Sequence, residues 1–216
     1  MSPMPGTGDC MDGSLGATAG LDAVNPHNLW KMSGVMTRAL PKPKRSLGRA
    51  LISSERIARR VREMGGEISE VYRDIDTPLV LVVILKGATV FAADLLRSLT
   101  IPAELEFVRA ASYGSGTSPG KLKLAHMVEG SMVGRHVLLI EDIIDSGRTV
   151  SAIAERLRKL KPASIRLAAL LDRPARREVE VKIDFTGFVI PDKFVIGYGL
   201  DYAGLYRELP GIYVLQ

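Results

Sequence analysis

The run Val137-Leu138-Leu139-Ile140 leads directly into two adjacent carboxylates, Glu141-Asp142, and then through Ile143-Ile144 into Asp145-Ser146-Gly147-Arg148-Thr149. A continuous apolar run of strand length, without polar alternation, belongs to a strand covered on both faces, as in a parallel sheet flanked by helices. After it, Val150, Ile153, Leu157 and Leu160 recur on one helical face, with Arg156, Arg158 and Lys159 turned outward. The acid pair therefore ends a buried strand, and residues 145–149 turn the chain into a helix. Ligands of open α/β sheets bind outside the carboxyl ends of the strands. A helix N-terminus offers unpaired N–H groups and positive potential to phosphate. Gly147 lets the backbone approach an anion, and Ser146 and Thr149 add hydroxyl donors. An ordinary helix cap by Asp145 or Ser146 would explain a generic Asp-x-Gly-x-Thr. It does not explain the adjacent acids, which repel each other unless a cation or sugar hydroxyls meet them. No Gly-x-x-x-x-Gly-Lys pattern is present, so this is not a Walker loop.

The rest of the chain supports the same architecture. Ser53 or Ser54 can cap a helix whose buried face carries Ile57, Val61, Met64, Ile68 and Val71, with a break or kink plausible at Gly65-Gly66. Residues 80–85 form a second continuous apolar strand, ended by Lys86-Gly87. A helix over 89–99, a strand over 103–109, a loop over 112–120, a hairpin strand over 121–128 and a strand over 165–171 follow. Strands alternating with helices imply a mainly parallel α/β sheet. Residues 181–216 read as short strands and turns capping that sheet.

The segment 141–149 resembles the phosphoribosyl-pyrophosphate motif of the type I phosphoribosyltransferases, in the form seen in the hypoxanthine-guanine enzymes. The resemblance extends over about residues 50–216. It implies a type I phosphoribosyltransferase fold with a flexible lid loop and a small base-binding hood, and transfer of the phosphoribosyl group to a 6-oxopurine with release of pyrophosphate. By the same resemblance, Glu141 and Asp142 meet the ribose hydroxyls and a magnesium shell. Asp145, Ser146, Gly147, Arg148 and Thr149 grip the 5′-phosphate, with Asp145 also facing N7 of the purine as general base or proton relay. Such a role suits a reaction at N9 that must shed or shift a proton. Lys86 and Gly87 belong to the pyrophosphate loop, with a non-proline cis peptide after Leu85. Many relatives carry a second glycine where Ala88 stands. Ser112 and Tyr113 begin the lid. Arg173 stands where relatives usually place a lysine that donates to the purine 6-oxo group, and its planar fork differs from a point ammonium. Phe194 stacks on the base, the backbone of Val195 reads its edge, Asp201 binds a second magnesium, and Arg207 touches pyrophosphate. The resemblance further implies a homo-oligomer, dimer or tetramer.

Residues 1–46 match nothing in that family. They hold six of the 21 glycines and five of the 12 prolines without a sustained apolar period, so an irregular or disordered extension is expected, ahead of a domain over 47–216. Trp30 could anchor it to the body. Cys10 is the only cysteine, which excludes an intrachain disulfide and a cysteine-based zinc site and agrees with a cytoplasmic location. No apolar stretch approaches a membrane span. The histidines, His27, His126 and His136, show no metal-ligand spacing. The formal net charge of +5 suits either a solvated basic surface or attraction to a polyanion. An RNA-binding regulator on the same fold is the alternative from another class, as is partner binding by the basic tail. A pure binder need not keep Lys86, Asp145, Phe194 and Asp201 together, so nucleic acid is not the expected partner.

Overall fold

Ser53 opens the first helix: its Oγ accepts the amide of Arg56 at 3.4 Å, and α1 runs over Ser54–Val71. The computed structural model describes residues 49–112, 122–125 and 132–215, with side chains described outside 110–131. Trp30, Tyr113, His27, His126 and all of the loop expected over 112–120 except Ser112, which belongs to β2, lie outside the described residues. Ile57, Val61, Met64 and Ile68 are buried as their spacing predicts. Val71, expected on the same face, is 44% exposed, because the helix ends there and burial passes to Tyr72. Gly65-Gly66 does not interrupt α1. A Cβ on Gly65 would lie 2.6 Å from Ser98 of α2 (Thr89–Ser98), so the glycine permits a close approach of two helices rather than a kink.

The main sheet holds β1 (Leu79–Leu85), β2 (Ala103–Ser112), β3 (Leu122–Ala125), β4 (His136–Ile144), β5 (Ser164–Asp172) and β6 (Phe185–Val189), in the order β3-β2-β1-β4-β5-β6. All pairings are parallel except that of β2 with β3. Alternate residues of β1 and β4 feed two cores. Leu81, Val83, Leu138 and Ile140 pack under α1 and α2; Val80, Val82, Val137 and Leu139 pack under α3 (Arg148–Arg158). This accounts for their unbroken apolar runs, since each such side chain contributes about 1.5–3 kcal/mol of burial on whichever face it lies.

Two expectations shift. β4 does not stop at Ile140: its pairing with β5 continues through Ile143↔Leu171 and Ile144↔Asp172, which places the acid pair among the last four residues of the strand, which ends at Ile144. Residues 181–216 do not only cap the sheet, because β6 joins its edge beside β5. The separate part is the small ribbon β7 (Val195–Ile196) with β8 (Tyr213–Val214) and the turns between them. The chain leaves β1 toward β2 on one side and has β4 on the other. The carboxyl ends of β1 and β4 therefore flank the switch point of the sheet, where a ligand crevice is expected.

Candidate active site

Lys86, Gly87, Glu141 and Asp142, all expected site residues, come together at that crevice. The peptide between Leu85 and Lys86 at the end of β1 is cis. Gly87 lies so close to Asp142 that a Cβ on it would meet Asp142 Oδ2 at 1.6 Å; a larger residue would have to displace the Asp142 carboxylate. From the other side, a Cβ on Gly199, whose φ is +97°, would lie 2.2 Å from the carbonyl of Gly87. The loop after β1 is thus wedged between the acid pair and the turn after β7. Lys86 is exposed, with its carbonyl accepting the amide of Thr89 at 3.2 Å and its hydroxyl at 2.7 Å. Ser112 ends β2, three residues past Arg109, which pairs with Leu85 at the carboxyl end of β1.

The acid pair is poorly compensated. Asp142 is buried; its Oδ1 accepts the amide of Ile143 at 2.9 Å. Glu141 is only half-buried as a residue, yet its Oε2 is closed off with no hydrogen-bond partner among the described residues. Burial, and then the neighbouring Asp142 charge, hold the Glu141 carboxyl well above the ordinary range. Burial also raises Asp142, opposed by hydrogen bonds from Glu141 and the Ile143 amide. An orphaned buried carboxylate oxygen beside a second acid is the donor set that a hard cation suits, with one or two carboxylates and the remaining ligands from phosphate and water. No group of three or more His, Cys, Asp or Glu side chains converges among the described residues, so a cage made only of protein is absent. Asp201, expected as a further magnesium ligand, has both oxygens engaged: Oδ1 with Arg207 Nη2 at 2.6 Å and Oδ2 with the Gly204 amide at 2.7 Å. Arg207 also donates to the carbonyl of Gly199 at 2.5 Å, and its charge is felt at Asp142.

Beyond β4, Glu141, Asp145, Ser146, Gly147 and Thr149 line a cavity of about 200 Å³. Gly147 caps α3 with φ +81° and no side chain capping the helix. The first amides of α3 are consequently left for a ligand, apart from a 3.4 Å approach of the Arg148 amide to Ser146 Oγ. Arg148 is exposed and turned to Glu178. A larger cavity, about 450 Å³, lies between α3 and the start of β5, lined by Arg158, Arg166 and Asp184 among others. It contains neither acid of the pair nor residues 145–149, so size does not mark the site.

Arg173 and Asp145 meet directly. The arginine is 5% exposed and lays both Nε and Nη2 on the Asp145 carboxylate, while Nη1 donates to the Lys193 carbonyl at 2.6 Å. Phe194 is exposed, with its ring edge-on to Tyr202 at 5.8 Å between centroids. The adjacent Val195 is buried in β7 and paired with Val214. Two groups were not singled out by the sequence. Tyr202 supplies a second aromatic wall beside Phe194. Arg177, from the turn after β5, donates to the carbonyls of Asp145 and Ile144.

The model of the phosphoribosyl transferase domain matches residues 50–203. This chain belongs to the phosphoribosyltransferase family. Among its relatives, the hypoxanthine phosphoribosyltransferase of Salmonella typhimurium is 45% identical over 161 residues, 74% of this chain and 90% of that one. The hypoxanthine-guanine phosphoribosyltransferase of Bacillus subtilis is 45% identical over 80% of this chain and 96% of its own. Among solved structures, a hypoxanthine phosphoribosyltransferase from Trypanosoma cruzi in a ternary substrate complex superposes with a TM-score of 0.74 at 37% identity, over 79% of this chain and 96% of that one. A Bacillus anthracis hypoxanthine-guanine phosphoribosyltransferase with a buffer molecule in its active site gives 0.73 at 38% identity, over 79% and 100%. The type I phosphoribosyltransferase fold expected from the sequence is the one observed.

Proposed function

We propose that this phosphoribosyltransferase transfers the 5-phosphoribosyl group from phosphoribosyl pyrophosphate to a 6-oxopurine, hypoxanthine or guanine, giving the nucleoside 5′-monophosphate and pyrophosphate in purine salvage. The observation that carries the reading is the juxtaposition, at the switch point, of the poorly compensated Glu141-Asp142 pair with the uncapped N-terminus of α3. The relatives' names carry the choice of purine.

In this reading residues 145–149 hold the 5′-phosphate through backbone amides and the hydroxyls of Ser146 and Thr149. Glu141 and Asp142 take the ribose hydroxyls and a magnesium ion. When bound, magnesium neutralises the charge gathering on the pyrophosphate leaving group. Lys86, Gly87 and Arg207 face the pyrophosphate, and Asp201 exchanges Arg207 for the cation shell. The purine lies against Phe194, with Val195 reading its edge. Its 6-oxo oxygen takes an N–H of Arg173, and Asp145, released from the fork, accepts the proton at N7. The N9–C1′ bond forms as the C1′–pyrophosphate bond breaks. The chain's contribution is alignment of two substrates, charge stabilisation and a proton acceptor. Ser112 and Tyr113 lead into the lid that excludes water. Residues 1–46 are an extension outside the catalytic domain, the enzyme is cytoplasmic and works as a dimer or tetramer, and neither membrane nor nucleic acid is required. No described helix is long and apolar enough to cross a membrane.

The test is turnover of the purified chain with magnesium and phosphoribosyl pyrophosphate against hypoxanthine, guanine, xanthine and adenine. Turnover with the first two and not adenine is expected; no turnover with any of the four sinks the reading.

A further inference from the structure

We infer that Arg177 is a positioning residue: it fixes the backbone of residues 144–146, and so sets where the phosphate loop and Asp145 stand. The inference rests on the phosphate-loop reading above, but Arg177 carries no role in it. Its guanidinium is half-buried behind the turn that follows β5. Nε donates to the Asp145 carbonyl at 3.0 Å and Nη2 reaches the Ile144 carbonyl at 3.4 Å. The same Nη2 pairs with Asp172 at the end of β5. The next carbonyl, that of Ser146, accepts the amides of Glu178 at 3.1 Å and Val179 at 2.9 Å. The Ile144 carbonyl also accepts the Arg173 amide at 3.1 Å, so three successive carbonyls of the loop are tied to one segment, and the middle one, that of Asp145, is held by Arg177 where no backbone amide reaches it.

The consequence falls on donors. With the carbonyls of 144–146 drawn toward the 172–179 segment, the loop enters α3 at a fixed angle and leaves its first amides for phosphate. Gly147 is held in its left-handed conformation against the same segment, with a Cβ there 2.5 Å from the Val179 carbonyl and 3.2 Å from Arg177 Cδ. Asp172 has its own part. It neutralises the guanidinium, so Arg177 acts through the backbone and not as a phosphate ligand. An arginine suits the task because its planar fork carries several donors at fixed angles, where a lysine offers a single ammonium.

The experiment uses the full chain with Arg177→Met, Arg177→Lys and Asp172→Asn. Three quantities are read: kcat and KM with phosphoribosyl pyrophosphate and hypoxanthine varied in turn, phosphoribosyl pyrophosphate affinity by calorimetry, and melting temperature. Arg177→Met is expected to lower kcat/KM for phosphoribosyl pyrophosphate by about 10- to 100-fold, the usual consequence of losing a group that orients a site from behind. The KM for hypoxanthine should move by less than about threefold on the same reasoning. Arg177→Lys should recover part of the loss, since one carbonyl can still be met. Phosphoribosyl pyrophosphate constants within about twofold of wild type, beside a lowered melting temperature, would make Arg177 a structural staple only and overturn the inference. Should Arg177→Met fail to fold, Arg177→Lys decides on the same comparison. A wild-type chain without turnover defeats the enzymatic reading alone. Calorimetry of wild type against Arg177→Met then still decides, equal affinities counting against Arg177.

Discussion

Arg173 reaches from the end of β5 and closes its guanidinium fork on both carboxylate oxygens of Asp145, with its remaining amino group on the Lys193 carbonyl. The group proposed to read the purine oxygen and the group proposed to take the purine's proton are thus each other's partners. The buried arginine keeps no free charge, and the carboxylate, 39% exposed, keeps an open side toward the cavity.

Asp145→Asn tests the base role. An amide preserves the size and one acceptor but cannot take a proton. Turnover should fall by about 10²–10⁴-fold, the range for loss of a general base, while phosphoribosyl pyrophosphate affinity changes far less. Equal loss of both, by steady-state kinetics and calorimetry, argues against proton transfer. The variant should also melt lower, because a buried arginine loses its counter-charge.

Gly147→Ala tests the loop geometry. At φ +81° an alanine is strained, and its Cβ would stand 2.5 Å from a backbone carbonyl, that of Val179, which cannot swing aside. The strain alone is on the order of 1–3 kcal/mol. Relief requires residues 146–148 to move, so phosphoribosyl pyrophosphate binding should weaken by at least tenfold, a displacement cost consistent with close positioning. Unchanged affinity would mean that the loop does not hold the phosphate.

Gly65→Ala separates stability from activity. Its Cβ would press on Ser98 at 2.6 Å, forcing α1 and α2 apart at a site remote from the crevice. Overpacking of this kind costs about 1–3 kcal/mol, or roughly 2–4 °C of melting temperature per kcal/mol for a chain of this size. Kinetic constants of the folded protein should stay at wild-type values; altered constants would link the helix pair to the site.

The sheet was legible because its central strands bury both faces: no other element accounts for unbroken runs at 80–85 and 137–140. The end of β4 was not, since Glu141 and Asp142 look like the start of a loop, and only the pairing of Glu141, Ile143 and Ile144 with β5 keeps this stretch in the strand. Gly65 reads as a kink in one dimension and proves to be a helix contact in three. At the site, the acid pair and the 145–149 turn are contiguous and could be read directly. The partnership of Arg173 with Asp145 spans 28 residues and that of Arg177 with Asp145 spans 32, and no local pattern encodes either. Phe194 could be named from its segment, whereas Tyr202 became an aromatic neighbour only once the turn after β7 folded back.

Glu141→Gln should show the cost of the acid pair as a pH dependence. Burial and Asp142 hold the folded carboxyl of Glu141 well above its ordinary value. Below the unfolded value of about 4.3 the group is protonated in both states and its burial carries no penalty. As pH rises past that value the unfolded chain releases its proton first, so stability is lost progressively until the folded carboxyl also ionises. Without ligand, Glu141→Gln should therefore melt above wild type at pH 7–8, and the two should converge as pH falls toward about 4. Addition of magnesium and phosphoribosyl pyrophosphate should reverse the order, because wild type gains the larger ligand stabilisation. Melting curves of both proteins across this range, with and without ligand, decide the matter: parallel curves at every pH would show that Glu141 is not the strained acid of the pair.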